Sequence, residues 1–188
     1  MSGLWVFVCG PSGAGKDSVM SWAQARLAHR PDIIFAQRIV TRVTHSSMSD
    51  KAVTPAEFDA LVQSGGLAWY WSAHGFDYGV SSDYAQCVQA GARVVVNGSR
   101  GHVQDLPAAE NRRVVQVLAN PQVLAERLTL RARESPDAVS TRLSRNALFD
   151  AFAADHTVVN QDVLAVAGNQ LMDYLSGCLP VRSGAPRV

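Results

Sequence analysis

The most constraining stretch of this 188-residue chain lies near its beginning. The apolar run Leu4-Trp5-Val6-Phe7-Val8-Cys9 leads directly into Gly10-Pro11-Ser12-Gly13-Ala14-Gly15-Lys16. An unbroken apolar run of strand length fits a strand covered on both faces, which is the signature of a parallel sheet. After Lys16, the residues Val19, Ala23 and Leu27 recur at helical spacing, and Pro31 ends the pattern, so a helix is expected over 16–29. Strand, glycine loop, lysine and helix in that order form the context of a GxxxxGK phosphate loop. Glycines let several amide N–H groups converge on one concavity, and the helix N-terminus adds positive potential. A ligand-free turn would explain the glycines, but not the lysine together with both flanks. Gly10, Pro11, Ser12, Gly13, Ala14, Gly15, Lys16, Asp17 and Ser18 are therefore expected to hold a nucleotide's phosphates, with Lys16 as the catalytic charge.

The residue after the lysine is usually a serine or threonine whose hydroxyl meets Mg²⁺. Here it is Asp17, followed by Ser18. Mg²⁺ favours carboxylate and phosphate oxygens, so Asp17 is the expected metal ligand. The competing reading is that it only stabilises the first helical turn through its charge.

Strand and helix patterns alternate through the rest of the chain, as in a sheet with helices on its faces. Ile33-Ile34-Phe35 opens an extended segment towards Thr41, and the polar stretch 43–53 reads as a loop. Thr54-Pro55-Ala56-Glu57 is a capping box with proline at the first helical position, and its helix should end near Gly65-Gly66. Leu67–Trp71 and Phe76–Val80 read as a hairpin, and Ser81 or Ser82 as the cap of a helix ending before Gly91. Arg93–Asn97, Arg113–Leu118 and Thr157–Val159 read as further strands. Asn120-Pro121 and Ser135-Pro136 open helices, and the helix after Asn160 is expected to bury Val163, Val166, Leu171 and Leu175.

The length suits one domain, and no repeat or linker divides it. Cys9, Cys87 and Cys178 are odd in number and widely spaced, which disfavours a disulfide framework or a Cys/His metal site. A formal net charge of +1 gives no overall field, and no basic stripe with interleaved aromatics points to nucleic acid. No stretch approaches membrane-spanning length and no signal peptide is evident, so a cytoplasmic location is expected. The sequence is compatible with a homodimer but does not set the oligomeric state.

Phosphoryl transfer needs alignment and charge stabilisation more than covalent chemistry, and arginine's fork suits both. Arg127, Arg131, Arg133, Arg142 and Arg145 fall on two consecutive helical patterns. The bland reading is a solvated face paired with Glu126 and Glu134. With a phosphate loop upstream, Arg131 and Arg142 are expected to be catalytic and the others surface residues. Arg38, Arg42 and Arg100 could supply the positive charge for an acceptor that is itself a phosphate; such an acceptor is already anionic and needs no general base.

With these features in place, the chain resembles the guanylate-kinase-like group of P-loop kinases. The resemblance covers Gly10–Ser18, Thr41-Arg42, Glu57-Phe58, Tyr78-Gly79, the arginine-rich helices and Val158-Val159-Asn160. Within that group it is most similar to the ribose 1,5-bisphosphate phosphokinases of phosphonate catabolism. This closer match rests on Gly15-Lys16-Asp17-Ser18, on Ala68-Trp69 with Trp71, on Ala73-His74-Gly75 leading into Tyr78-Gly79, and on Asn97-Gly98-Ser99-Arg100. The resemblance implies an α/β P-loop kinase fold: a central parallel sheet flanked by helices, an acceptor-binding insert around 36–80, a helical lid around 125–145 and a loose tail over 179–188. It implies ATP as donor, Mg²⁺ as cofactor and a sugar phosphate as acceptor, giving 5-phosphoribosyl 1-diphosphate. It assigns acceptor-phosphate contacts to Arg42 and Tyr78. Asn160 falls near the adenine contact, with capping of the following helix as the other reading.

Two departures from guanylate kinases stand out: positions where those enzymes carry acids that read guanine are Ala68 and Asn97 here. Guanine's donors would then go unpaired, which argues against GMP. The Gly-Gly-Glu-like element expected of the bisphosphokinases within 43–53 is also missing; Ser47, Met48 and Ser49 stand there, and Asp50 is the available carboxylate. Two alternatives stay open. One is a nucleoside-monophosphate kinase stacking a base on Trp69, Trp71 or Tyr78. The other is a non-catalytic binding module, which would be expected to lose the lysine that is intact here.

Overall fold

The computed structural model describes residues 3–42, 50–130, 152–161 and 163–177, without the side chains of 125, 126 and 128–130. The end of the expected first lid helix with Arg131 and Arg133, and the second with Arg142 and Arg145, lie outside the described residues, as do 43–49 and the tail.

The apolar run forms β1 (Leu4–Cys9) and the phosphate-loop lysine opens α1 (Lys16–Arg26). The helix is shorter than the pattern implied, since Leu27 already has non-helical backbone angles. β1 is the middle strand of a five-stranded parallel sheet in the order β2-β7-β1-β8-β9, with β2 (Ile33–Phe35), β7 (Arg93–Asn97), β8 (Arg112–Leu118) and β9 (His156–Val159). Alternation along β1 sends Val6 and Val8 to one face and Trp5, Phe7 and Cys9 to the other, and both faces are buried. On the first face, Val19, Met20 and Ala23 of α1 and Ala167, Leu171 and Leu175 of α6 (Leu164–Ser176) close the core.

The other face is covered in part by a second sheet, in the order β4-β3-β6-β5, comprising β3 (Arg38–Val40), β4 (Asp50–Ala52), β5 (Leu67–Ala73) and β6 (Phe76–Ser81). Trp71 and Val80 of this sheet pack against Trp5, Phe7, Val94 and Val96 of the first. The extended segment expected from Ile33 towards Thr41 is thus two strands in two sheets. Only Ala36 and Gln37 lie between them; Ala36 N–H still donates to Val95 of the first sheet, while Gln37 N–H donates to the Tyr84 hydroxyl. Within the expected loop 43–53, Asp50–Ala52 pairs in parallel with β3, so its end is strand.

The capping box behaves as its residues dictate. Thr54 Oγ1 accepts from Glu57 N–H, Glu57 returns the bond to Thr54 N–H, and Pro55 starts α2 (Pro55–Gln63). The expected hairpin is β5–β6, turning through His74 and Gly75, both at positive φ. α3 (Asp83–Gln89) follows, with the Ser81 hydroxyl accepting from Asp83 N–H. α4 (Arg100–Asp105), absent from the sequence reading, follows β7. α5 (Pro121–Leu130) begins where the Asn120 side chain accepts from Gln122 N–H.

One expectation about the core is corrected. Val163 precedes α6 and is 62% exposed, and Val166 on its first turn is 55% exposed. The buried stripe is Ala167, Gly168, Leu171 and Leu175, whose small members let α1 come close. A Cβ on Gly168 would lie 2.0 Å from the Trp22 ring.

Candidate active site

The loop 10–15 sits at the C-terminal edge of the parallel sheet, where ligands of open α/β sheets gather. Gly15 is the N-cap of α1, with φ +82° and no side chain to cap the helix, so the first-turn amides stay available to an anion. Lys16 folds back over the loop and donates from Nζ to the carbonyls of Gly10 (2.9 Å) and Pro11 (3.1 Å). Burial is the main cause that lowers its ammonium pKa to about 8, and the neighbouring charges of Arg100 and Arg38 act in the same direction against Asp17.

Asn160 follows β9 and is 3% exposed. Its Nδ2 donates to Ala14 O at 2.7 Å, and a Cβ on Gly15 would fall 2.4 Å from that nitrogen. Its own carbonyl accepts from Arg127 Nη1 at 3.2 Å. The cap of α6 is Val163, so the capping role considered for Asn160 is not the one it has. Its amide is a strut beneath the phosphate loop. Arg127, expected as a surface residue, braces that strut.

Asp17 and Ser18 are exposed on the first turn of α1. Asp17 Oδ1 accepts from Asn97 Nδ2 at 2.5 Å. Its other oxygen has no hydrogen-bond partner among the described residues, leaving a hard anionic oxygen beside the loop. Among the described residues no group of three or more His, Cys, Asp or Glu side chains could form a metal cage. A single carboxylate complemented by substrate phosphates is how Mg²⁺ is commonly held, and the residues present fit that pattern.

The second sheet brings together Arg38, Arg42 and Tyr78. Arg38 forks onto Asp50, with Nε to Oδ1 at 2.9 Å and Nη2 to Oδ2 at 3.1 Å, and its Nη1 reaches Asn97 O at 3.3 Å. Arg38 also lies over the Tyr78 ring, 5.3 Å from its centre. Tyr78 stacks on Trp71 (5.7 Å, 9°), and Trp71 stacks on His102 (4.9 Å, 18°). These four side chains form one column. Burial raises the Tyr78 pKa, while Arg38 and Arg42 oppose the rise. Arg42 is exposed, rests over Phe76 at 5.7 Å and forms no ion pair among the described residues. Arg100 opens α4, within electrostatic reach of Lys16 and Cys9.

The geometry therefore joins Lys16, Asp17, Arg38 and Arg100 around the C-terminal ends of β1 and β7, with Tyr78 and Arg42 on the adjoining sheet. Sequence reasoning passed over Asn97 as a partner of Asp17, and Asp50 as the partner of Arg38. Nothing in local spacing announces contacts across 80 and 12 residues.

No protein-family model matches the chain. Among solved structures it is similar to guanylate kinase from Anaplasma phagocytophilum, with a TM-score of 0.64 and 14% identity over 93% of this chain and 85% of that one. That likeness establishes a guanylate-kinase-like fold. In sequence, the chain is 39% identical over 173 residues to ribose 1,5-bisphosphate phosphokinase PhnN of Agrobacterium fabrum, covering 90% of this chain and 94% of that protein. The chain belongs to the ribose 1,5-bisphosphate phosphokinase family. A second member, PhnN of Burkholderia mallei, is 42% identical over 179 residues, covering 92% of this chain and 95% of its own. The likeness to this kinase family therefore extends over nine-tenths of the chain. Among the described residues no helix is long and apolar enough to cross a membrane.

Proposed function

We propose that the protein transfers the γ-phosphate of ATP to the 1-phosphate of ribose 1,5-bisphosphate, giving 5-phosphoribosyl 1-diphosphate and ADP. An oxygen of the acceptor's 1-phosphate forms the new bond to the γ-phosphorus, and the bond from that phosphorus to the β–γ bridging oxygen breaks. Membership of the ribose 1,5-bisphosphate phosphokinase family supports the substrate pair. The observation that carries the reading is a phosphate loop beside a second cluster of cations, Arg38, Arg42 and Arg100. Among the described residues the carboxylate paired with that cluster is Asp50, which forks with Arg38.

In this reading the amides of Gly13 to Lys16 cradle the donor phosphates and Lys16 swings from its two carbonyls to the β- and γ-phosphates. Asp17 is the residue that would hold Mg²⁺, which when bound neutralises charge on the nucleotide's phosphates. Arg42, Tyr78 and Arg100 bind the acceptor's phosphates. Arg38, with most of its fork occupied, orients the cluster and lends charge. Asn160 serves the donor side by holding Ala14 in place. Residues 36–80 act as the acceptor insert, and Arg131 and Arg142 as lid arginines.

A nucleobase acceptor is disfavoured by two features. Trp71 and Tyr78 already spend their faces on each other, on His102 and on Arg38. The Asn97 amide is engaged with Asp17. The test is a product assay with ATP and Mg²⁺, offering ribose 1,5-bisphosphate and GMP in parallel. 5-Phosphoribosyl 1-diphosphate from the sugar alone is the expected result; faster turnover of GMP would overturn the assignment.

A further inference from the structure

Asn97 ends β7 on the face it shares with Val95, which looks onto α1. It is 6% exposed. A carboxylate can only accept, so the Asn97 amide must turn its Nδ2 towards Asp17. That choice forces Oδ1 inward, where it is buried without a hydrogen-bond partner among the described residues. A buried amide with one end unsatisfied is unfavourable, and such an exception calls for an explanation. An apolar side chain of similar volume would avoid the cost and still fill the space.

The two positions belong together chemically. The site has a carboxylate at 17 where a hydroxyl is usual, and among the described residues the Asn97 amide is the group that holds it. A second acid at 97 would face it as a like charge within hydrogen-bond distance. An amide at 97 instead supplies a donor that fixes one carboxylate oxygen and leaves the other open.

We infer that Asn97 is a positioning residue for the metal. Its amide fixes the Asp17 carboxylate so that the open oxygen is presented to the Mg²⁺ of the bound nucleotide. Asn97 also ties this position to the acceptor side, because its backbone carbonyl accepts from Arg38. The inference rests on Asp17 being the metal ligand, as proposed above.

The test is equilibrium binding of ADP, with and without Mg²⁺, to the full chain and to Asn97→Leu, Asp17→Ala and the double variant, with melting temperature measured alongside. Outer partners of metal ligands typically govern affinity by about 10–100-fold. Asn97→Leu should therefore lose about tenfold of the Mg²⁺-dependent gain in ADP affinity and keep the metal-free affinity. Its melting temperature should hold or rise, since the orphaned oxygen is gone. In the Asp17→Ala background Asn97→Leu should change nothing further. If Asn97→Leu melts lower yet keeps the full Mg²⁺ gain, Asn97 is structural and the inference falls. If Asn97→Leu fails to fold, Asn97→Ala gives the same binding comparison. Asp17→Ala retaining the Mg²⁺ gain would instead overturn the metal role of Asp17 itself, a distinguishable failure.

Discussion

Arg38 and Asp50 face each other as a two-pronged ion pair across β3 and β4, with side-chain exposures of only 14% and 15%. Removing one partner takes the fork away from a charge in a poorly solvated place, which for buried pairs costs on the order of 3 kcal/mol. Arg38→Gln should lower stability by that order and raise the KM for the acceptor, with the KM for ATP little changed. Denaturant unfolding and initial rates at varied acceptor check both halves. A purely donor-side effect would contradict the placement of Arg38.

Lys16 makes its two hydrogen bonds only to loop carbonyls, and burial works against its charge. Lys16→Ala should therefore leave the melting temperature within a few degrees of the parent. Losing a preorganised charge from a phosphoryl-transfer site should lower kcat by about 100-fold or more. Single-turnover kinetics with saturating ATP would read the loss directly.

The bond from Asn160 to Ala14 can be broken with little change in volume by Asn160→Asp, which sets a carboxylate against a carbonyl. ADP affinity should fall about tenfold, near 1.4 kcal/mol, the scale of a lost buried hydrogen bond. Calorimetric titration measures it. An unchanged affinity would mean that the loop holds its shape without this strut.

Close packing of α1 on α6 gives a control remote from the chemistry. Gly168→Ala would drive a methyl group into Trp22 and should cost about 1–3 kcal/mol by overpacking. The kcat of the folded fraction should be unchanged.

His102 stacks on Trp71, and burial is the first cause that lowers its pKa below 6.5, followed by Arg112. Above pH 6.5 the imidazole is neutral whether the chain is folded or not. Below that value the unfolded chain takes up a proton that the folded one resists, so stability falls as the pH drops towards the folded-state pKa. His156 shifts in the same direction for the same reason. Urea midpoints at pH 7.5 and 5.5 should differ less for His102→Phe than for the parent, with His156 contributing to the difference that persists.

Elements with a local cause were legible in the sequence. The phosphate loop, the Thr54 capping box and the buried strands each declare themselves within a few residues. The contacts that set the site's geometry have no such local signal. Asn97 with Asp17 and Asn160 with Ala14 arise only when the sheet orders its strands β7-β1-β8-β9 and brings distant strand ends beside one loop. The α6 pattern misled because valine hydrophobicity outweighed phase. Val163 and Val166 lie off the stripe, while Ala167 and Gly168 are small and so give little apolar signal. The break at Ala36-Gln37 was hidden because extended backbone continues on both sides of it.

Those two residues carry the chain from one sheet to the other, which has a consequence for how such an enzyme can change over time. In the proposed reading the donor machinery hangs on the parallel sheet, and Arg38, Arg42 and Tyr78 of the acceptor cluster hang on or beside its neighbour. On that reading mutations can remodel the second sheet for a new acceptor while the donor half is inherited largely intact. Asn97 and Arg100 limit that independence: the Asn97 side chain serves one half and its backbone the other, and Arg100 reaches the acceptor from the parallel sheet, so a lineage that drifts in acceptor preference must keep this junction or rebuild both sides together.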